Sequence, residues 1–383
     1  MAHPETEKVQ RGVSRRELLI GGTFLGASFL ASKWGVEKVA QNFSPTFDLE
    51  RLKDFTILPP ECPAPSELTG INLNAPFLWR TVDSPDKIEK AVNNARQFGA
   101  RTIRVFINDE FEPELGKYRF EVLGKIKKLA QKFPLQVDLF DAYRLLHANK
   151  FNPVYGSPNL SSPYLVAHLD FFTDQFIRGM FLERVKTIIT HLSRTPEIVA
   201  WSIANELTPP IENKKEARGI LTNWYVEVVT EIRKIDPKRP ILSGVTNPTL
   251  LDEERLKQCG LTANTFHLYP FSGSSENIFN VQQQKSLPLV CQEIGFPSKL
   301  FGFSFSFAHD ELFSRYLSHN FSSFFEINEK EKWLKPKITS VGLWRLTFEG
   351  DSHQDGFGID PEKSPQTLKV LQAWKEMIGK IRG

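Results

Sequence analysis

The sequence predicts a TIM (β/α)8 barrel, and three observations carry that expectation. From Thr69 onward short apolar runs alternate with amphipathic ones, the pattern of parallel strands joined by crossover helices. Eight such units over roughly 310 residues match the length and order of this barrel. The first turn, Asn72-Leu-Asn-Ala-Pro-Phe-Leu-Trp79, lacks the glycines that open a doubly wound sheet, which commonly has five or six strands.

Taken in order, the strands are expected at residues 70–74, 102–107, 136–140, 198–204, 241–245, 262–267, 289–293 and 341–346. Each is a short apolar run of strand length, and buried parallel strands read this way. The intervening helices are expected at 85–98, 122–132, 174–193, 215–235, 250–258, 276–284, 310–323 and 365–378. Ser84-Pro85 supplies an N-cap followed by proline at the first helical position. Gly99 and Gly260 stand where a helix should stop, and Asp236-Pro237 ends another.

Before the barrel lie two other segments. In residues 1–34, Ser14-Arg15-Arg16-Glu17-Leu18-Leu19-Ile20 leads into an apolar stretch reaching about Ala31, short for a membrane span. This resembles a twin-arginine export signal, which implies a bacterial protein that crosses the membrane already folded. No clean small-x-small cleavage site precedes Lys33, so an uncleaved form serving as a membrane tether stays open beside a cleaved one. Residues 35–68 carry Pro45, Pro59, Pro60, Pro63 and Pro65 with little periodicity and read as a linker and lead-in. Residues 69–383 form the folded domain.

Composition narrows the classes of function. A formal charge of +3 over 383 residues, part of it in the N-terminal segment, implies no basic face for nucleic acid. Cys62, Cys259 and Cys291 show no metal spacing, and the histidines are scattered without ligand spacing, so neither metal nor cofactor is expected. Cys291 lies in an apolar strand run and reads as a small core residue; a Cys62–Cys259 disulfide is an open alternative to free thiols. The 31 phenylalanines suit a large core and an aromatic-lined cleft.

Active sites of this barrel lie at the C-terminal ends of its strands. Those ends read Asn74, then Arg104 with Asn108 and Asp109, then Asp138, Asp141 and Tyr143. Next come Asn205 and Glu206, Thr246 and Asn247, His267 and Tyr269, Glu293, and finally Trp344 with Arg345. Glu206 and Glu293 each close an apolar run, and an ionised carboxylate there needs a partner or a function. Two carboxylates facing one barrel mouth suit glycosidic bond cleavage; strand-end salt bridges are the alternative. Arg104 is unusual in a buried strand unless paired with a carboxylate, either Glu293 or one of Asp138 and Asp141. His267 and Tyr269 are two apart, so both point to one side of an extended segment.

Trp201-Ser-Ile-Ala-Asn205-Glu206, His267-Leu-Tyr269, Gln292-Glu293-Ile-Gly295 and Trp344 together resemble the signatures of clan A glycoside hydrolases, most closely family 5. The resemblance covers roughly residues 69–378 and implies a retaining double displacement. It assigns Glu206 as acid/base, Glu293 as nucleophile and Asn205 as a partner of the sugar 2-hydroxyl. Arg104, His267 and Tyr269 support the carboxylates, and Trp344 floors the reactive subsite, with Trp79 as a further candidate. The sequence departs from the family in placing Leu207 after Glu206, where proline is common, and in a strand-3 end without a clear pattern, where His147 is a doubtful substitute.

Residues 169–177 and 264–270 resemble the corresponding parts of β-mannanases, so β-1,4-mannan or a related heteromannan is the expected substrate. A cellulase or an exo-β-glycosidase of the same family is the alternative, and a non-catalytic carbohydrate-binding barrel is the alternative of another class.

Overall fold

The computed structural model describes residues 70–73, 84–107, 120–140, 169–207, 213–269, 286–295, 299–300, 303–304, 309–330, 338–346 and 358–382. The barrel strands are β1 (Gly70–Leu73), β2 (Thr102–Phe106), β3 (Leu135–Asp138), β4 (Ile198–Ser202), β5 (Ile241–Leu242), β6 (Asn264–Leu268), β7 (Leu289–Ile294) and β8 (Ile338–Leu346). All pair in parallel, in the order β5-β4-β3-β2-β1-β8-β7-β6. The two ends of that order meet. Leu242 bridges Ala263 in parallel, the Thr262 N–H donates to Ile241 O at 2.9 Å, and the Ser243 N–H donates to Ala263 O at 3.3 Å. The sheet is therefore a closed (β/α)8 barrel, with no exposed barrel edge at that seam.

Eight α-helices lie among the described residues: α1 (Pro85–Gln97), α2 (Phe120–Ala130), α3 (Leu169–Thr173), α4 (Gln175–Leu192), α5 (Lys214–Ile235), α6 (Glu253–Cys259), α7 (His309–Lys330) and α8 (Pro365–Arg382). Proline opens α1, which buries Ile88, Ala91, Val92 and Ala95 at helical spacing. The Asp174 side chain caps α4 by accepting from the Ile177 N–H at 2.9 Å, and Asn213 caps α5 in the same way. Gly260 ends α6 in the left-handed conformation at φ 101°. Where α3, α4 and α5 pack together, the Phe171, Phe181 and Trp224 rings lie 5.0–5.4 Å apart, each such pair contributing about 0.5–1.5 kcal/mol beyond its buried area. No described helix is long and apolar enough to cross a membrane.

Several expectations change in detail. The 174–193 helix is preceded by a separate short helix, α3, because Asp174 leaves the helical conformation to act as the α4 cap. The segment expected as a helix from 250 becomes a 3-10 turn at Pro248–Leu250 followed by α6, since the Asp252 side chain caps α6. β5 holds two residues instead of five, because Gly244 turns the chain at φ 79°. β8 starts earlier, at Ile338. A hairpin pairing Lys299–Leu300 with Phe303–Ser304 was not anticipated. Cys259 is a free thiol among the described residues, and Cys62, its partner in the disulfide alternative, lies outside them. Residues 1–69, the 276–284 helix and the residues Asn74, Trp79, Asn108, Asp109, Asp141, Tyr143 and His147 lie outside the described residues.

One irregularity positions the site. Phe266 pairs with Cys291 and His267 with Glu293, while on the other side Val341 pairs with Cys291 and Leu343 with Ile294. Both ladders thus place one extra residue in β7 between Cys291 and Ile294, a β-bulge of the kind that re-aims side chains. Strict alternation would send Gln292 and Glu293 to opposite faces; here both face the lumen, as their partners below show. A second bulge falls in β8, where Ile71 pairs with Leu343 and Leu73 with Leu346. It lies at Trp344 and Arg345, whose shared peptide is cis.

Candidate active site

Asn72, Arg104, Asp138, Asn205, Glu206, His267, Tyr269 and Glu293 come from six different barrel strands or the segments that follow them, and converge at one end of the lumen. Arg104, on β2, is 2% exposed and holds the cluster together. Its Nη1 donates to Glu293 Oε1 at 2.6 Å and to Asn72 Oδ1 at 3.2 Å. Nη2 donates to Asn205 Oδ1 at 2.9 Å, and Nε donates to Asp138 Oδ2. Of the three carboxylates weighed as partners from the sequence, Glu293 and Asp138 both hold it, and Asp141 lies outside the described residues. Burial alone would lower the Arg104 pKa, but the charges of Asp138 and Glu293 outweigh it, and the net shift is upward.

Glu293 is 2% exposed. Besides Arg104 on Oε1, it receives the Tyr269 hydroxyl on Oε2. Burial, and then the charge of Glu293 itself, push the Tyr269 pKa well up, so the phenol keeps its proton and remains a donor. His267 Nδ1 lies 2.8 Å from Glu206 Oε1 and 3.3 Å from Glu293 Oε2, between the two acids. As the two-residue spacing predicts, His267 and Tyr269 reach the same carboxylate from one side of their segment.

Glu206 is set by the backbone. It follows β4 at φ 57°, the left-handed region that side chains other than glycine rarely occupy. Its N–H donates to Gly244 O at 2.9 Å, and the preceding Asn205 N–H donates to Phe140 O at 2.7 Å, so the segment is held from both neighbouring strands. Gly244 has to be glycine on two counts: its φ is 79°, and a Cβ there would stand 1.5 Å from Ala204 O.

One side-chain atom each of Glu206, His267 and Glu293 lies within 4.8 Å of the others. Three such groups could ligate a cation, but the lone pairs of Glu293 are already directed at a guanidinium and a phenol O–H. A metal ion would have to displace those donors and sit beside the Arg104 charge. The arrangement suits two carboxylates acting on one bond. One oxygen of each carboxylate lies within 4.8 Å of the other.

Trp344 is half-buried and meets Phe106 edge to face at 5.8 Å. The Phe106 ring in turn lies 4.6 Å from the Arg104 guanidinium carbon. Trp344 thus borders the cluster through Phe106. Asn72, Ser202, Gly244 and Gln292 were given no role from the sequence. Asn72 could have been found from its place two residues after Gly70, on the lumen side of β1; it donates from Nδ2 to Leu343 O at 2.8 Å and Gln292 O at 3.1 Å.

No protein-family model matches the chain, and no curated protein matches it. Solved structures do. The endo-β-1,4-mannanase from Thermotoga petrophila superposes with a TM-score of 0.59 at 16% identity, over 82% of this chain and 77% of that one. The endo-1,4-β-mannanase from Rhizomucor miehei gives 0.56 at 16% identity, over 82% and 95%. The endo-glycoceramidase II from a Rhodococcus species gives 0.54 at 16% identity, over 81% and 80%. At these identities the likeness is one of fold.

Proposed function

We propose that this chain is a retaining β-glycoside hydrolase of the family 5 type, and that its substrate is a β-1,4-linked mannan or heteromannan. The observation that carries the reading is the pair Glu206 and Glu293, with carboxylate oxygens within 4.8 Å and unequal surroundings. Glu293 is buried and accepts hydrogen bonds from Arg104 on one oxygen and Tyr269 on the other, which hold its side chain in place. Glu206 is 15% exposed, and its Oε1 lies 2.8 Å from His267 Nδ1.

In the first step Glu293 attacks the anomeric carbon, while Glu206 protonates the departing glycosidic oxygen. In the second, Glu206 takes a proton from water, which attacks the anomeric carbon of the glycosyl-enzyme and releases Glu293. Asn205, held by Arg104, is the partner of the sugar 2-hydroxyl as positive charge builds at the anomeric carbon. Trp344 is the aromatic face for the reactive sugar. The two mannanases among the structural neighbours support the choice of substrate, as do the stretches at 169–177 and 264–270. The twin-arginine-like N-terminus supports action outside the cytoplasm, and export unchanged by Arg15→Lys/Arg16→Lys would refute that part.

Release of reducing sugar from β-mannan, cellulose derivatives and aryl β-glycosides tests the reading. β-Mannan should be preferred, and Glu293→Ala should be inert until azide restores turnover. A protein inert on the whole panel is instead a carbohydrate-binding barrel.

A further inference from the structure

The bulge in β7 brings a second side chain into the lumen. Gln292 Nε2 donates to Ser202 Oγ at 2.9 Å, which joins β7 to β4 directly, although these strands are not neighbours in the sheet. Gln292 immediately precedes Glu293, and Ser202 lies four residues before Glu206. Both are buried, at 2% and 0% exposure. The bond spans the barrel beneath the two carboxylates.

The pair is costly to keep. Among the described residues Gln292 Oε1 has no hydrogen-bond partner, although it is buried. A buried, half-satisfied amide is less favourable than an apolar side chain of the same shape. The bond that the described residues give this side chain is the one to Ser202, and the bulge is what turns it into the lumen to make that bond. Gln292 also borders a small cavity with Asn72, Arg104 and Gln136, which leaves its strand end room to shift if the bond is lost.

Resting on the glycosidase reading, we infer that Gln292 and Ser202 are positioning residues: a cross-lumen strut that fixes the gap between Glu293 and Glu206. The gap separates a retaining geometry from one that admits a water, so holding it to a fraction of an ångström has a direct catalytic consequence. The bond pulls on the residue before the nucleophile and on the strand that carries the acid/base, and it touches neither reacting atom.

Ser202→Ala and the double variant Ser202→Ala/Gln292→Leu test this together. The single variant leaves the Gln292 amide with neither atom paired, so both unfolding midpoint and kcat should fall. The double variant removes the amide as well. Its unfolding midpoint should equal or exceed that of wild type, while kcat on an aryl β-mannoside stays roughly 10–100-fold down, the cost of misplacing reacting groups by about 1 Å. In its crystal structure the Glu206 and Glu293 oxygens should stand further apart than 4.8 Å. Recovery of kcat together with stability, failure of the double variant to fold, or an unchanged gap would each overturn the strut. A wild-type protein inert on every glycoside refutes the glycosidase reading instead, and the gap in the double variant then decides the strut alone.

Discussion

Arg104 gives the sharpest test of how the site is built. Its side chain is 2% exposed, and it bridges two carboxylates that are themselves 0% and 2% exposed, Asp138 and Glu293. Arg104→Ala removes four hydrogen bonds from a charged donor at once, two to carboxylates and two to amide oxygens. It also takes from two buried carboxylates the guanidinium they share. Breaking one buried pair from one side costs about 3–5 kcal/mol, and with two anions stranded the upper end is expected. That is a large share of a typical stability of about 5–15 kcal/mol. Arg104→Lys restores one positive charge but not a planar fork able to reach Asp138, Glu293, Asn72 and Asn205 together, so it should recover about half of the loss. Urea unfolding measures the stabilities, and kcat on an aryl β-mannoside measures the alignment of Glu293 and Asn205, which should fall by about 10²-fold or more in both variants. An Arg104→Ala protein within about 1 kcal/mol of wild type, against that 3–5 kcal/mol expectation, would refute the role given to this side chain.

Other outcomes follow from the same geometry. Gly244→Ala places a Cβ against Ala204 O and demands φ 79° of alanine; it should cost more than the about 1–3 kcal/mol of the backbone strain alone and lower kcat through Glu206, as urea unfolding and steady-state kinetics will show. Glu206→Ala should lose most activity toward poor leaving groups but much less toward dinitrophenyl glycosides, which need no protonation. Burial holds the pKa of Tyr225 above its ordinary value, and burial followed by the charge of Glu293 does the same for Cys291. The folded state therefore keeps protons that the unfolded state loses above about pH 8.5 for cysteine and pH 10 for tyrosine. Stability is complete below those values and falls as pH rises through them, by about 1.4 kcal/mol per pH unit for each group. In urea titrations the Cys291→Ala chain should lack the decline that begins near the cysteine value; an identical decline in both chains would contradict this.

Much of the site could be read from the sequence because two rules act locally. Apolar runs of strand length mark the barrel strands, and polar residues at their C-terminal ends mark the mouth, which singled out Glu206, Glu293, Arg104, His267 and Tyr269. The period of two placed His267 and Tyr269 on one side. The same period fails at Gln292, because register is a property of strand pairs and the β7 bulge is set by pairing with β6 and β8. Gly244 was equally hidden: its need for glycine arises from Ala204, forty residues earlier in the chain. Asp138 was seen as a partner for Arg104, but only the folded lumen shows that one guanidinium can serve Asp138 and Glu293 together. The two-residue β5 has a similar cause, since the turn at Gly244 ends a strand whose apolar sequence would have run on.

The stereochemistry of the first-formed product tests the central claim most directly. Proton NMR of an aryl β-mannoside reaction, followed before mutarotation, reports which anomer the protein releases. With carboxylate oxygens within 4.8 Å and Glu293 as nucleophile, the β-anomer should appear first. Initial release of the α-anomer would contradict the account, because it would mean that a water, and not Glu293, attacks the sugar.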